Sequence, residues 1–243
     1  MLPLFYKTLQ FLDSKTHADW GVAQGQSGFA FAAHTNVVPL AISELSYAIA
    51  SYPVVLVQQQ DAVAPALVAL VGNGDNNNQF VQANGQWREG AYVPAWVRRY
   101  PFVLVNQEAN STEVALAFDP SAHALVGPEH AAKLWLEQQP SPVLTSILNF
   151  QREVALALSA TAVAVQALVD AQVLEEATIS FNKPDDAAAA APQRLSGFMM
   201  VNEAKLQALD GAALEALSKA NALGLAYAQM LSMRNVQYIT PPV

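Results

Sequence analysis

Cysteine is absent from this chain of 243 residues, and charged side chains are scarce. Without cysteine the chain has no disulfide, no thiolate metal ligand and no cysteine nucleophile. Only 13% of the residues are charged, against roughly 25% in an average domain. A sparsely charged surface favours association, because exposed apolar patches tend to be covered. We therefore expect a homo-oligomer, or a complex with a protein or peptide partner.

Positive charge is in especially short supply. The net charge of −8 and the isoelectric point near 4.9 argue against binding to nucleic acid or to anionic membranes. Residues 1–12 lack the basic segment and cleavage site of a signal peptide. The longest apolar stretch, residues 154–165, is shorter than the roughly 20 residues of a membrane span. We predict a cytoplasmic protein without a membrane span, with the cell surface as the alternative location.

The first half of the chain, residues 1–125, has the patterns of strands and turns. Continuous apolar runs at residues 53–57 and 66–71 are typical of buried strands, and the polar stretch 72–78 predicts a loop. Asn84-Gly85 predicts a type I′ hairpin turn between residues 79–82 and 86–88. Residues 39–51 have a helical pattern.

The second half, residues 126–243, is predicted to be mainly helical. Its expected elements are a short helix at 128–138, a long central helix at 143–173, two strands at 177–181 and 195–201, and two helices after Asn202. The alanine-rich segment 183–193 is expected to be an exposed loop. We predict one α+β domain over residues 1–243, with a mostly antiparallel sheet and the strand-rich part packed on the helical part.

Several short motifs together resemble the bacterial SapC family over nearly the whole chain. The motifs are Val38-Pro39-Leu40, Tyr52-Pro53-Val54, Tyr92-Val93-Pro94-Ala95, Arg98-Arg99-Tyr100-Pro101-Phe102 and Tyr227-Ala228-Gln229-Met230-Leu231-Ser232-Met233. The family takes its name from a surface-layer-associated locus. The peptide-transporter permease of the same name, which spans the membrane, is not similar to this chain.

The resemblance implies little about activity. Many relatives look like cytoplasmic proteins encoded beside flavin-dependent halogenase-like proteins, so such a protein is a candidate partner. The family brings no established catalytic residues. The resemblance leaves open a structural role in a surface layer.

Clustered arginines beside aromatic residues form the main candidate site. Arg98 and Arg99 lie close in sequence to Trp87, Tyr92 and Trp96. Arginine binds carboxylate or phosphate through a planar fork and stacks on aromatic rings. On an extended strand the two arginines would face opposite sides, so that one could reach a pocket.

Two interpretations of this cluster stay open. In the first, Arg98, Arg99, Trp87, Trp96 and Tyr92 bind an anion or a peptide carboxylate. In the second, an arginine pairs with Glu44 or Asp119 and Trp96 lies in the core. Glu44 could also be a general base, or it could belong to the binding site.

His17-Ala18-Asp19 is a weaker candidate. With His34, His123 or His130, His17 and Asp19 could form the two-histidine-one-carboxylate site of a non-haem iron oxygenase. Alternatively, Asp19 caps a turn. Since no complete catalytic or metal-binding set is evident, the leading hypothesis is a non-enzymatic binding or accessory protein without a cofactor. An iron-dependent oxygenase and a surface-layer structural protein are the alternatives.

Overall fold

The computed structural model describes residues 2–24, 28–58, 64–74, 76–107, 113–181 and 193–239. Every strand pair in this part of the chain is antiparallel. The strands are β1 Gln10–Phe11, β2 Gly21–Val22, β3 Val37–Pro39, β4 Val54–Val57, β5 Ala66–Leu70, β6 Phe102–Asn106, β7 Val114–Phe118, β8 Val126–Gly127, β9 Ala132–Lys133, β10 Trp135–Leu136, β11 Gln139–Pro140, β12 Leu174–Phe181 and β13 Gln193–Val201. The predicted mostly antiparallel α+β fold is therefore confirmed.

The main sheet has five strands in the order β12-β13-β4-β5-β3. β4 and β5 are the strands predicted from continuous apolar runs, and both are almost entirely buried. Their register pairs Val55 with Val68. These strands are apolar on both faces because the largest core of the protein surrounds them.

A second sheet, in the order β1-β7-β6, supports a smaller core. Phe102, Leu116 and Phe118 from this sheet pack with Leu144. Beside it, β2 lies between β8 and β9. These short strands add to the strand-rich first part of the fold.

The predicted helix over 128–138 is wrong. The segment instead contains β9, β10 and the turn to β11. Glu137 and Gln138 have φ angles of +48° and +64°, which a right-handed helix does not allow. Strands of two residues are too short for any sequence periodicity, so the pattern of helix-forming residues was misleading.

The predicted type I′ turn is also wrong, because Gly85 has a positive φ of +78° and Asn84 does not. A type I′ turn needs positive φ at both central residues. The side-chain oxygen of Asn84 instead accepts a hydrogen bond from the Gln86 N–H at 2.9 Å. The hairpin is reduced to a single bridge between Val81 and Trp87.

Six α-helices and three short 3₁₀ segments occur in the described residues. The helices are α1 Leu45–Ala48, α2 Ala95–Arg98, α3 Pro142–Asp170, α4 Glu203–Gln207, α5 Gly211–Lys219 and α6 Ala222–Ser232, and the 3₁₀ segments are Ala30–Ala32, Ile42–Glu44 and Met233–Tyr238. The predicted loop over 183–193 lies outside the described residues, except for Gln193, which begins β13.

The long helix α3 contacts elements of both sheets, β5 and β6. Its first residue is Pro142, whose missing N–H costs nothing in the first turn of a helix. The hydroxyl of the preceding Ser141 caps the helix by accepting a hydrogen bond from the Leu144 N–H at 3.1 Å. The prediction of a central helix needs correction. α3 buries one stripe and leaves Leu156 and Val163 exposed.

α3 is long and apolar enough to cross a membrane by length and composition alone. The apolar stretch 154–165 is shorter than a membrane span, but the helix that contains it extends over 29 residues. One such helix is weak evidence for a membrane span, since core helices of other proteins meet the same criterion. The absence of a span stays a prediction.

Candidate ligand-binding site

Glu44 holds α2 in place. The Glu44 carboxylate accepts hydrogen bonds from the Ala95 N–H at 2.5 Å, the Tyr92 hydroxyl at 2.9 Å and the Ala41 N–H at 2.9 Å. Glu44 is 6% exposed, so these three donors replace the water that a buried carboxylate would otherwise lack. Ala95 is the first residue of α2. Glu44 therefore positions the arginine-bearing helix and forms no direct ion pair with either arginine.

Arg98 ends α2 and is exposed to solvent. Its guanidinium lies over the rings of Phe150 and Tyr92, at 5.1 and 5.7 Å from their centroids. It also donates to the Val93 carbonyl and to the Tyr92 hydroxyl, both at 3.1 Å. Burial, followed by the nearby Glu44 carboxylate, raises the pKa of Tyr92, and Arg98 acts in the opposite direction. Arg98 and Glu44 are thus linked through the Tyr92 hydroxyl.

Arg99 is 8% exposed and lies against Trp96. The guanidinium carbon is 3.5 Å from the centroid of the Trp96 ring. Burial lowers the pKa of Arg99, and its interaction with Tyr6 opposes this shift. The buried Nε of Arg99 and the buried Nε1 of Trp96 both lack a hydrogen-bond partner among the described residues. Two adjacent stacked side chains therefore carry unsatisfied nitrogens.

Asp119 does not neutralise Arg99. Its carboxylate accepts from the Lys7 N–H at 2.7 Å, from the Ser121 N–H at 2.9 Å and, more weakly, from the Tyr100 hydroxyl at 3.4 Å. The ion pairs in the described part of the chain involve neither Arg98 nor Arg99. The interpretation that an arginine pairs with Glu44 or Asp119 is therefore wrong, and among the described residues no carboxylate pairs with the buried Arg99.

The strand hypothesis for the two arginines is wrong, because they lie at the end of a helix and both line one cavity. The chain forms one turn of helix at residues 95–98, and Arg99 is the residue that ends it. Trp96 and Arg99 are three residues apart, which places their side chains on the same side of a helical turn.

Trp87 has a structural position. It is 6% exposed, and its indole N–H donates to the Tyr52 hydroxyl at 2.9 Å. Its ring contacts Phe29 and Phe80. The Tyr52 hydroxyl in turn donates to the Tyr92 carbonyl. Trp87 therefore supports the segment before α2 and is not among the residues that surround the arginine cavity.

Two cavities lie beside α2. The smaller, of about 170 Å³, is lined by Arg98 and Arg99 together with Phe150 and Gln151 of α3. The larger, of about 510 Å³, is lined by Trp96, by strand residues and by a later part of α3. Arg98, Arg99 and Trp96, which the sequence places close together, therefore each line one of the two cavities.

Gln151 was missed as a site residue. It is 3% exposed, and its amide donates to the Arg99 carbonyl at 3.0 Å. A helical projection could have identified it, because Gln151 follows the buried Leu144 by seven residues on the buried stripe of α3. A polar side chain at such a position needs a hydrogen-bond partner.

The candidate iron ligands are not gathered together. His17 is 1% exposed and packs edge-on against Trp20 and Phe118, whereas Asp19 is exposed. No group of three metal-ligating side chains occurs in the part of the chain that the structure describes. The geometry therefore offers no support for the iron site that His17, Asp19 and a distal histidine would form.

The structure is that of an antiparallel α+β protein in which a buried arginine at a cavity has no carboxylate partner among the described residues. The family model named SapC matches residues 12–239. The chain belongs to the SapC family, as its motifs predicted. No curated protein and no solved structure matches it.

Proposed function

We propose that this SapC-family chain is a non-enzymatic binding protein for a small molecule that carries a carboxylate or phosphate group. The carrying observation is the buried Arg99 guanidinium, which has no carboxylate partner in the part of the chain that the structure describes. Buried charges in proteins are paired, because removing an ion from water costs several kcal/mol. A ligand anion would supply the missing partner.

The surroundings of Arg99 support an anion rather than a second cation. Arg98 lines the same cavity, and the Gln151 side chain lies beside it. Trp96 covers one face of the Arg99 guanidinium, which leaves its edge as the direction for hydrogen bonds. The chain has 12 lysines and arginines against 20 acidic residues, and two of these basic residues line this one cavity.

The test uses benzoate and inorganic phosphate at constant ionic strength, with thermal unfolding and calorimetric titration as readouts. A ligand that binds only the folded protein raises its stability with concentration. We expect Arg99→Gln to weaken binding by at least about tenfold, the effect of losing one charged hydrogen bond. Arg98→Gln should weaken it less, because Arg98 is exposed and already hydrogen-bonded.

The matched control is Arg152→Gln, which removes an exposed arginine from α3. This variant should bind as the unmodified protein does. Equal binding by Arg99→Gln and the unmodified protein would overturn the proposal, and so would the absence of saturable binding for both probes.

A further inference from the structure

The two cavities follow one another along the same side of α3. Phe150 and Gln151 line the smaller cavity, and Leu158, Thr161 and Val165 line the larger one. Gln151 and Leu158 are seven residues apart, which is two helical turns and about 10 Å along the axis. Trp96 of α2 lines the larger cavity, Arg98 and Arg99 at the end of α2 line the smaller one, and the Arg99 guanidinium stacks on the Trp96 ring. The cavities are therefore neighbours along a shared wall.

Their sizes suit different parts of one ligand. A volume of about 170 Å³ is below the roughly 300–1,000 Å³ of small-molecule sites, whereas about 510 Å³ lies within that range. The smaller cavity, at the arginines, accommodates the charged head group of a ligand, and the larger cavity accommodates the rest of the ligand.

The larger cavity is chemically suited to an apolar body. Leu40, Leu67, Leu158 and Val165 contribute to its lining, and none of its lining side chains within the described residues is charged. Thr161 and Gln166 are polar members of the lining. The Thr161 hydroxyl already accepts from Ile42 N–H at 2.8 Å and donates to the Ala157 carbonyl at 2.6 Å, and the Gln166 amide donates to the Asp170 carboxylate at 2.7 Å. A hydrocarbon would therefore meet a surface whose polar hydroxyl is already satisfied.

We infer that the site takes an amphiphilic carboxylate, with its carboxylate at Arg99 and its hydrocarbon body against Trp96 in the larger cavity. This inference rests on the proposed function and adds the chemical class of the ligand. Trp96 carries the argument, because it lines the apolar cavity and stacks on the buried cation. The Nε1 of Trp96 and the Nε of Arg99, which lack a hydrogen-bond partner among the described residues, belong to the two stacked side chains at which the apolar cavity adjoins the arginine cavity.

A series of straight-chain carboxylates tests the apolar part. Butyrate, hexanoate and octanoate, all below micelle-forming concentrations, are titrated calorimetrically. Each added methylene that enters the cavity should tighten binding about fourfold. Octanol and octylammonium carry the same chain with a neutral and a positive head, and both should bind more weakly than octanoate. Arg99→Gln should remove the preference for octanoate over octanol.

A matched pair of variants tests whether the hydrocarbon chain of the ligand lies in the larger cavity. Ala162→Trp places a bulky side chain at the larger cavity, and Ala155→Trp places it on the exposed surface of the same helix. Ala162→Trp should abolish the dependence on chain length while leaving butyrate binding unchanged. Ala155→Trp should change neither the dependence on chain length nor the binding of butyrate.

The outcomes separate the two proposals. If butyrate binds through Arg99 but longer chains bind no tighter, the amphiphile is refuted and the anion-binding function stands. If chain length matters but Arg99→Gln binds all probes as before, both the anion site and its amphiphilic ligand are refuted. An unchanged chain-length dependence in Ala162→Trp would also overturn the assignment of the larger cavity.

Discussion

Replacing Arg99 by methionine tests whether the arginine is an uncompensated cation or a structural partner. The substitution removes the stack on Trp96, worth about 2 kcal/mol when desolvated, and the interaction with Tyr6. It also removes the cost of burying a guanidinium without a carboxylate, which is several kcal/mol. Because these contributions oppose each other, we expect the free energy of unfolding to change by no more than about 1 kcal/mol.

A structural ion pair would behave differently. Removing one partner of a buried pair costs about 3–5 kcal/mol, which lowers the melting temperature of a chain this size by roughly 6–20 °C. Urea unfolding and calorimetry of the ligand-free protein measure both quantities. The control is Arg152→Met, which removes an exposed charge from α3. A loss of 3 kcal/mol or more in Arg99→Met, with Arg152→Met near neutral, would refute the reasoning.

Three further outcomes follow from the same contacts. Glu44→Ala leaves three donors unsatisfied and should lower the free energy of unfolding, measured in urea, by at least about 3 kcal/mol. The control Glu153→Ala, at an exposed position, should be near neutral. A small loss in Glu44→Ala would contradict the positioning role of Glu44. Burial raises the pKa of Tyr100 to about 12 and the pKa of Tyr6 further. Above pH 10 the unfolded chain therefore releases protons that the folded protein keeps, so stability should fall as pH rises from 10 to 12; a constant urea midpoint would contradict this. Protein purified with ferrous iron present should contain no stoichiometric iron by elemental analysis, whereas stoichiometric iron that His17→Leu removes would restore the oxygenase hypothesis.

The strands and long helix were predictable where one physical pattern dominates. Uninterrupted apolar runs identified β4 and β5, because strands covered on both faces have no need of polar residues. Helix formers without glycine or proline identified α3. The strands between 126 and 140 were not predictable, since pairs of two residues are fixed by neighbouring strands and turns rather than by their own sequence.

The sequence singled out residues that lie beside the two cavities, but it could not predict their arrangement. Clustered arginines and aromatics pointed to Arg98, Arg99 and Trp96, whereas the sequence contains no information on which acidic groups are already occupied. Glu44 was a candidate partner for either arginine, but backbone N–H groups and the Tyr92 hydroxyl occupy its carboxylate. Only tertiary structure shows that neither Glu44 nor Asp119 is the counter-ion of Arg99.

Nuclear magnetic resonance of the arginine side chains tests this central claim most directly. The Nε–H signal of Arg99, assigned as the one that disappears in Arg99→Lys, is followed while octanoate is added. We expect a saturable shift of this signal, because its buried Nε has no partner in the described structure, and no shift of the exposed Arg152 signal. An Arg99 signal that does not respond, or that moves only as much as that of Arg152, would contradict the account.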